Sequence, residues 1–256
     1  MTEHIRTTSE GGVLEITFAR PEKKNALSNA MYRAAADALE NAQADPMVRV
    51  VLFSSEGDAF TSGNDLADFA GVASGRSEEL QAARFIRVLA QAEKPLVAAV
   101  PGLAVGVGTT MLLHCDLVIV ASGAKLSAPC VNLALVPEAA SSLRLTARIG
   151  HARAFAMFAM GEALTGDEAC DLGLANKALA TDEVIPAARA AARLLAEKPI
   201  GAVMATKKLM RESEAILARM AQEGKVFGER LRSAEAREVF TAFAERRPPD
   251  FTRVAS

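Results

Sequence analysis

The sequence predicts an α/β protein with a mostly parallel, covered sheet that is followed by a helical region. Short apolar runs alternate with helical segments through the first half of the chain, which is typical of parallel sheets with helices on both faces. After Val136-Pro137-Glu138 the chain becomes almost entirely helical. We therefore predict a core at residues 1–195 and a C-terminal helical region at residues 196–256.

The composition predicts a globular protein with a large core. The chain has 256 residues, half of them hydrophobic, and a formal net charge of −2. This charge offers no basic field for nucleic acid or for an anionic membrane. The cysteines, Cys115, Cys130 and Cys170, are too few and too widely spaced to indicate a disulfide framework or a metal site. The polar N-terminus does not resemble a signal peptide, so we expect a cytoplasmic protein.

The strands of the core are predicted from apolar runs that turn residues bound. They lie at residues 12–18, 48–53, 96–100 and 116–121, with an extended segment at 126–129. Residues 95–115 are uncharged and long enough for a membrane span, but their prolines and glycines instead predict a strand, a turn and a helix.

The helices are predicted from apolar periodicity, caps and breakers. Ser28 is a favourable N-cap for an Ala-rich helix that reaches about Gln43. A second helix starts at Ser77 and runs to Glu93, before Lys94-Pro95. Further helices are predicted at residues 109–114, 141–149, 151–160, 165–171, 182–197, 199–210 and 213–246.

Two glycine-bearing turns follow predicted strands and precede predicted helices. They are Ser62-Gly63-Asn64 and Gly106-Val107-Gly108. Because such junctions share the carboxyl edge of a parallel sheet, we expect the turns to lie together. Backbone N–H groups from both turns could then converge on one oxygen, forming an oxyanion hole for a carbonyl that gains charge. An ordinary capped turn is the alternative.

Motifs along nearly the whole chain carry a family resemblance. They are Arg20-Pro21-x-x-x-Asn25-Ala26-Leu27, Ser62-Gly63-x-Asp65, Pro101-Gly102-x-Ala104-x-Gly106-x-Gly108 with Cys115-Asp116, Leu164-Thr165-Gly166-x-Glu168-Ala169 and Gly173-Leu174-Ala175. With them the chain resembles the crotonase superfamily, the enoyl-CoA hydratase/isomerase family. The resemblance implies a ClpP/crotonase fold, which is an α/β spiral of ββα turns with a C-terminal α-helical trimerisation region.

The same resemblance implies the ligand and the partners. The substrate is expected to be an acyl-CoA thioester whose enolate the backbone N–H groups of Asn64 and Val107 stabilise. Coenzyme A is part of that substrate, so no separate cofactor is expected. The family forms homotrimers, with a dimer of trimers as an alternative, and no nucleic-acid or membrane partner is expected.

Departures from the family pattern concern the acid and the base. Hydratases of this family use two glutamates, at the positions where this chain has Thr110 and Cys130. Adding water needs one group that activates it and a means of protonating the α-carbon. Neither Thr110 nor Cys130 is a carboxylate, so ordinary hydratase activity is not expected. Both residues are expected to pack in the acyl pocket.

One carboxylate remains in the expected neighbourhood. The stretch from Leu135 to Ser142 resembles the segment that carries the sole catalytic glutamate of the peroxisomal-type Δ3,Δ2-enoyl-CoA isomerases. By this resemblance, Glu138 moves a proton from C2 to C4 of a 3-enoyl thioester, and its apolar neighbours raise its pKa. The alternative is a helix N-terminal carboxylate that the helix dipole favours.

The resemblance also implies a set of substrate-binding residues. They are Lys24, Ala26, Ser62, Gly63, Asn64, Asp65, Leu66, Gly106, Val107, Gly108, Thr110, Cys130 and Pro137. A helix cap is the alternative role for Asp65. For Arg20, Lys23 and Lys24, contact with CoA phosphates and a solvated loop are both open.

Three hypotheses about function follow. The leading one is isomerisation of 3-enoyl-CoA to trans-2-enoyl-CoA with Glu138 as the single proton shuttle. The second is another crotonase-type reaction on a different acyl-CoA, by a hydratase, hydrolase or lyase. The third is a non-catalytic homologue that binds acyl-CoA.

Overall fold

The computed structural model describes residues 2–65 and 81–253. The strands of this part of the chain are β1 (Ile5–Glu10), β2 (Val13–Phe18), β3 (Val50–Ser55), β4 (Ala59–Thr61), β5 (Leu96–Val100), β6 (Leu103–Val105), β7 (Leu117–Ala121), β8 (Lys125–Ser127), β9 (Leu164–Thr165) and β10 (Lys177–Leu179). They form a six-stranded sheet of order β1-β2-β3-β5-β7-β10 and a four-stranded sheet of order β4-β6-β8-β9.

Helices follow the strands and make up most of the C-terminal part. They are α1 (Asn29–Ala44), α2 (Gln81–Gln91), α3 (Val107–Thr110), α4 (Ser141–Ile149), α5 (His151–Phe155), α6 (Gly166–Asp171), α7 (Thr181–Ala196), α8 (Ile200–Leu209), α9 (Ser213–Leu231) and α10 (Ala234–Ala244). Short 3-10 helices lie at Met111–His114 and Cys130–Leu133, and a π-helical turn lies at Ala156–Met160. Within the described residues, no helix has the length and apolarity that a membrane span needs.

Successive strand pairs divide between the two sheets. β3, β5 and β7 are parallel neighbours in the large sheet, whereas β4, β6 and β8 are parallel neighbours in the small sheet. Each successive pair of strands therefore contributes one strand to the large sheet and one to the small sheet. Because parallel strands end at one edge, the turns that follow β4, β6 and β8 lie side by side.

The large sheet forms the centre of the core. Every residue of β3 and of β5 is buried, as expected for strands that are covered on both faces. α7 packs across β3, β5 and β7, and α1 packs against α2. This packing holds the small sheet and its turns on a rigid base.

Several sequence predictions match the structure closely. The strand at 96–100 and the helix at 141–149 have the predicted bounds. Ser28 is the N-cap of α1, and its hydroxyl accepts the N–H of Met31 at 3.3 Å. The proposed division of the chain at residues 195 and 196 stays a prediction, and it lies within the last turn of α7.

Other predictions were wrong in informative ways. β1 was missed because it is an exposed edge strand without apolar alternation. The predicted helix at 213–246 is two helices, because the Ser233 hydroxyl caps a new one by accepting the N–H of Ala236 at 3.1 Å. β9 and β10 lie in the region that was predicted to be helical, where their two or three residues give no periodic signal. The start predicted for the second helix, at residues 77–80, lies outside the described residues.

A close contact at Gly102 sets the path into β6. A β-carbon at this position would lie 2.1 Å from the carbonyl oxygen of Asp58, directly before β4. We expect Gly102→Ala to lower the free energy of unfolding by about 2–3 kcal/mol, because the backbone must move to admit the methyl group. Urea unfolding measures the change.

The matched control is Gly201→Ala in α8. No heavy atom lies within 4 Å of a β-carbon there, so the change should stabilise the helix by up to about 1 kcal/mol. Equal effects of the two substitutions would contradict the close approach at Gly102.

Candidate active site

The first turn of the site, Ser62–Asp65, follows β4. The sequence analysis predicted that it would follow the strand that is β3. Gly63 has a φ of 91°, and its N–H donates to the Thr61 hydroxyl at 3.0 Å. The Ser62 N–H donates to the Lys24 carbonyl at 2.9 Å, and the Leu27 N–H donates to the Gly63 carbonyl at 2.8 Å. The turn is thus held by the loop that precedes α1.

Asn25 in that loop explains the Asn-Ala-Leu motif. Its side chain is fully buried and donates to the carbonyls of Glu56 (2.9 Å) and Ala59 (2.8 Å). Its Oδ1 accepts the Arg20 N–H at 2.7 Å. The main-chain carbonyl of Asn25 in turn accepts the Thr61 hydroxyl at 2.7 Å, so the side chain and the main chain of this residue tie the loop to the two ends of β4.

The second turn follows β6 and starts α3 at Val107. Gly106 has a φ of 57°, which an L-residue rarely adopts. Its N–H donates to the carbonyl of Ser127 in β8 at 2.9 Å. The sequence predicted a single turn through residues 101–108, but β6 interrupts it, and this strand brings the second turn beside the first.

Two glycines allow the turns to touch. A β-carbon on Gly63 would lie 2.9 Å from the Val105 carbonyl oxygen, and one on Gly108 would lie 2.6 Å from the Thr61 methyl group. Gly108 therefore acts as a spacer under the site and does not line the cavity. Larger side chains at either position would force the two turns apart.

The turns leave two amide groups for a ligand. In residues 2–65 and 81–253, neither the N–H of Asn64 nor that of Val107 donates to a protein acceptor. Both residues line one cavity of about 730 Å³. Two amides from adjacent turns at one cavity form a suitable oxyanion hole, because they are fixed dipoles that need no rearrangement.

Glu138 lies on the same cavity wall. Its Oε1 accepts the Thr110 hydroxyl at 2.6 Å. Its Oε2 is buried and has no hydrogen-bond partner among the described residues. Because buried polar atoms are normally paired, an unpartnered carboxylate oxygen at a cavity is a candidate for proton transfer.

The protonation of Glu138 is shifted towards neutrality. Burial raises its pKa from 4.5 to about 7, the Thr110 hydroxyl lowers it, and the charge of Glu223 raises it. A carboxyl group with a pKa near the operating pH both takes up and releases a proton readily.

Tyr32 of α1 holds the Asn64 side chain. The Tyr32 hydroxyl donates to Oδ1 of Asn64. Burial and the neighbouring Glu138 raise the pKa of Tyr32 well above 10.0, so this residue stays a neutral donor. No sequence pattern indicates this role, since a lone Tyr in an amphipathic helix is usually a core residue.

The other predicted residues divide into two groups. Those that line the cavity are Ala26, Ser62, Gly63, Asp65, Gly106, Thr110, Cys130 and Pro137. Lys24 lies away from the cavity wall and pairs with Asp58 at 2.5 Å, whereas Arg20 and Lys23 line the cavity. Leu66 lies outside the described residues.

Asp65 and Cys130 have structural partners. Asp65 accepts Arg20 at 2.7 Å in a mostly buried ion pair, so its carboxylate is not a free acid or base. Burial raises the pKa of Cys130 to about 11, so its thiol stays protonated at neutral pH and is a poor nucleophile. Its thiol lies 3.7 Å from the Phe158 carbonyl.

A second cavity, of about 560 Å³, lies between α2 and α9. Asn64, Val107 and Glu138 line it as well as the first cavity. Its remaining wall is mostly apolar and includes Ile86, Leu217 and Met220. The candidate oxyanion hole and base therefore lie between two spaces that a long ligand could occupy. Among the described residues, no cluster of acidic, His or Cys side chains suits a metal ion.

The fold and this site define a class of protein that acts on acyl-CoA. The family model for enoyl-CoA hydratase/isomerase matches residues 8–254, and the chain belongs to this family. A crystal structure of an enoyl-CoA hydratase/isomerase from Pseudoalteromonas atlantica is 39% identical, covers 97% of this chain and 100% of its own, and superposes with a TM-score of 0.91. The predicted crotonase fold is thereby confirmed.

Relatives in the family have different names. Enoyl-CoA delta isomerase 2 of Rattus norvegicus is 33% identical over 95% of this chain, which spans 64% of the rat protein's length. A probable enoyl-CoA hydratase of Rhodobacter capsulatus is 35% identical, with 97% of each chain covered. Similarity thus establishes the family and leaves the reaction to the residues of the site.

The raised pKa of Glu138 makes stability depend on pH. The folded protein holds this proton more tightly than the unfolded chain, so stability is lost as the pH rises from 4.5 through about 7. We expect Glu138→Gln to raise the free energy of unfolding by on the order of 3 kcal/mol at pH 8 and by less than about 1 kcal/mol at pH 5. Chemical denaturation at the two pH values measures this.

Glu229→Gln is the control for charge alone. Glu229 is an exposed residue of α9, and its substitution should change stability by no more than about 0.5 kcal/mol at either pH. A Glu138→Gln effect that is the same at both pH values would contradict the burial of an ionisable group.

Proposed function

We propose that this protein is an enoyl-CoA isomerase that converts 3-enoyl-CoA thioesters into trans-2-enoyl-CoA. One observation carries the proposal. A buried carboxylate with an unpartnered oxygen, Glu138, shares a cavity with the two amides of the candidate oxyanion hole. This arrangement suits a reaction with one base and an enolate intermediate.

The chemistry needs only these groups. With the thioester oxygen between the N–H groups of Asn64 and Val107, the carboxylate of Glu138 removes a proton from C2. The C–H electron pair moves into a dienolate whose negative oxygen the two amides stabilise. The protonated Glu138 then returns the proton to C4, and the double bond moves into conjugation with the thioester.

The residues around Glu138 favour a reaction with one acid-base group over a reaction that needs two. Thr110 donates its hydroxyl to Glu138, and Cys130 is a protonated thiol at neutral pH. The nearby acid Asp65 is paired with Arg20. Hydration would require a second group to activate water, and none of these three residues is placed or ionised to supply it.

The cavities suit a fatty acyl-CoA. Arg20 and Lys23 line the larger cavity, and Lys23 offers positive charge to CoA phosphates, whereas Asp65 balances the charge of Arg20. The apolar second cavity offers space for an acyl chain beyond the reacting carbons. The coenzyme A is then part of the substrate, and no further cofactor is proposed. A homotrimer, or a dimer of trimers, is proposed from the family resemblance, and light scattering tests it.

Substitution of the base tests the reaction directly. We expect Glu138→Gln to lower kcat for isomerisation by a factor of about 100 or more, because the amide cannot accept the C2 proton. The growth of ultraviolet absorbance from the conjugated thioester measures the rate, and product mass distinguishes isomerisation from hydration.

Glu229→Gln is the matched control, since this exposed glutamate of α9 lines neither cavity. Its kcat should stay within a few-fold of the wild-type value. Undiminished activity of Glu138→Gln would disprove the role of Glu138, and 3-hydroxyacyl-CoA as the main product of the wild type would identify a hydratase.

The acid limb of the pH profile tests the environment of Glu138. Since the base must be ionised, kcat/KM should rise with pH through a pKa of about 7. Thr110→Val removes the hydrogen bond that lowers this pKa, so its acid limb should move to higher pH. Thr110→Ser keeps the hydroxyl and should stay near the wild-type profile. A limb that is unchanged in Thr110→Val would refute this contact.

A further inference from the structure

The turn that carries Glu138 has an unusual backbone. Ala139 and Ala140 follow the base directly, with φ values of 62° and 54°. Two consecutive alanines in the left-handed region are unfavourable, and such a conformation persists only where the surroundings impose it. The position of Glu138 therefore depends on whatever holds this turn.

Glu223, from α9 in the C-terminal helical region, holds it. Its Oε2 accepts the Ala140 N–H at 2.6 Å, and its Oε1 accepts the Ser142 N–H at 2.9 Å. The residue is only 7% exposed. A single carboxylate thus satisfies two amides at the start of α4, where a negative charge is also favoured by the helix dipole.

His114 supports the same turn from the other side. Arg211 can only donate, so its bond to Nδ1 of His114 (3.0 Å) makes that nitrogen an acceptor. The proton is then on Nε2, which donates to the Ala139 carbonyl at 2.8 Å. Burial and the nearby arginines lower the pKa of His114 to about 3, so this contact is the same at every pH of interest.

We propose that Glu223 is a positioning residue for the base, which fixes the turn behind Glu138 and keeps a negative charge next to its carboxyl group. Because it concerns the base of the proposed isomerisation, the assignment rests on the proposed function. It makes the C-terminal helical region part of the active site, since the spiral core alone lacks this carboxylate.

Among the described residues, Glu223 is the charged group that acts on the protonation of Glu138. The other titratable neighbours are Tyr32 from α1 and Cys130 from the 3-10 helix. Both have raised pKa values and stay neutral near pH 7. The charge of Glu223, which lines the second cavity together with Glu138, raises the pKa of the base.

One arginine acts directly on Glu223. Arg219, on the same helix, donates to the Ser142 hydroxyl at 3.1 Å and lowers the pKa of Glu223. Arg87 from α2 and Arg232 after α9 line the same second cavity. Burial raises the pKa of Glu223, while the Ser142 and Ala140 contacts and Arg219 oppose this rise.

The test compares Glu223→Gln with Glu229→Gln, an exposed glutamate on the same helix. Glu223→Gln keeps the size of the side chain but loses the charge and one acceptor. We expect its kcat at pH values above the acid limb, the plateau kcat, to fall about tenfold or more through misplacement of the base. We also expect the acid limb of its pH profile to move to lower pH. Glu229→Gln should match the wild type in both respects.

The decisive result is a shift in the pH of the acid limb, because a merely structural role of Glu223 would not cause it. An acid limb that stays at the wild-type pH in Glu223→Gln, or that moves equally in Glu229→Gln, would overturn the proposal. Should Glu223→Gln not fold, Glu223→Asp keeps the charge on a shorter side chain. Its plateau kcat should fall while the acid limb stays near the wild-type pH, and an unchanged kcat would overturn the proposal.

Infrared difference spectroscopy separates this inference from the proposed reaction. The carboxylic acid band that is absent in Glu138→Gln belongs to Glu138, and its titration needs no turnover. We expect this band to titrate at lower pH in Glu223→Gln than in the wild type, and an unshifted titration would overturn the proposal. Retained activity of Glu138→Gln with a shifted band would refute the proposed function alone.

Discussion

The parallel pairing of β4 and β6 is the constraint on which the rest of the site depends. Each of these strands has three residues, so neither is stable without its neighbour and the large sheet beneath. Their pairing places Gly63 against the Val105 carbonyl and Gly108 against Thr61. The turns that carry the two free amides lie next to each other because Gly63 and Gly108 place no side chain between them.

The proposed base, Glu138, is held by a separate set of contacts. A turn of unfavourable backbone geometry directly follows Glu138. Buried groups from α9 and from the 3-10 helix after α3 hold this turn in place. The Oε2 atom of Glu138 is buried, and the charge of Glu223 acts on its carboxyl group. Both features oppose stability and favour proton exchange near neutral pH, which is a common relation between strain and function.

The fold class and the two turns could be predicted from the sequence, because apolar runs and glycines report local geometry. The position of Glu138 at the cavity agrees with the role that the resemblance to known isomerases implied, and that role stays a prediction. The roles of Tyr32, His114 and Glu223 could not be found, because each depends on contacts with residues distant in the chain. β4 and β6 were missed as strands because three-residue segments carry no usable period.

The two kinds of catalytic group differ in what a mutation can do to them. The proposed oxyanion donors are main-chain amides of Asn64 and Val107, so among single substitutions only proline removes them. The proposed base is a side chain, Glu138, and by the family resemblance it takes the place of carboxylates that hydratases carry at positions 110 and 130. A scaffold of this kind retains its ability to stabilise an enolate while the proton-transfer step is exchanged, so one protein family can diversify its reactions without rebuilding its site.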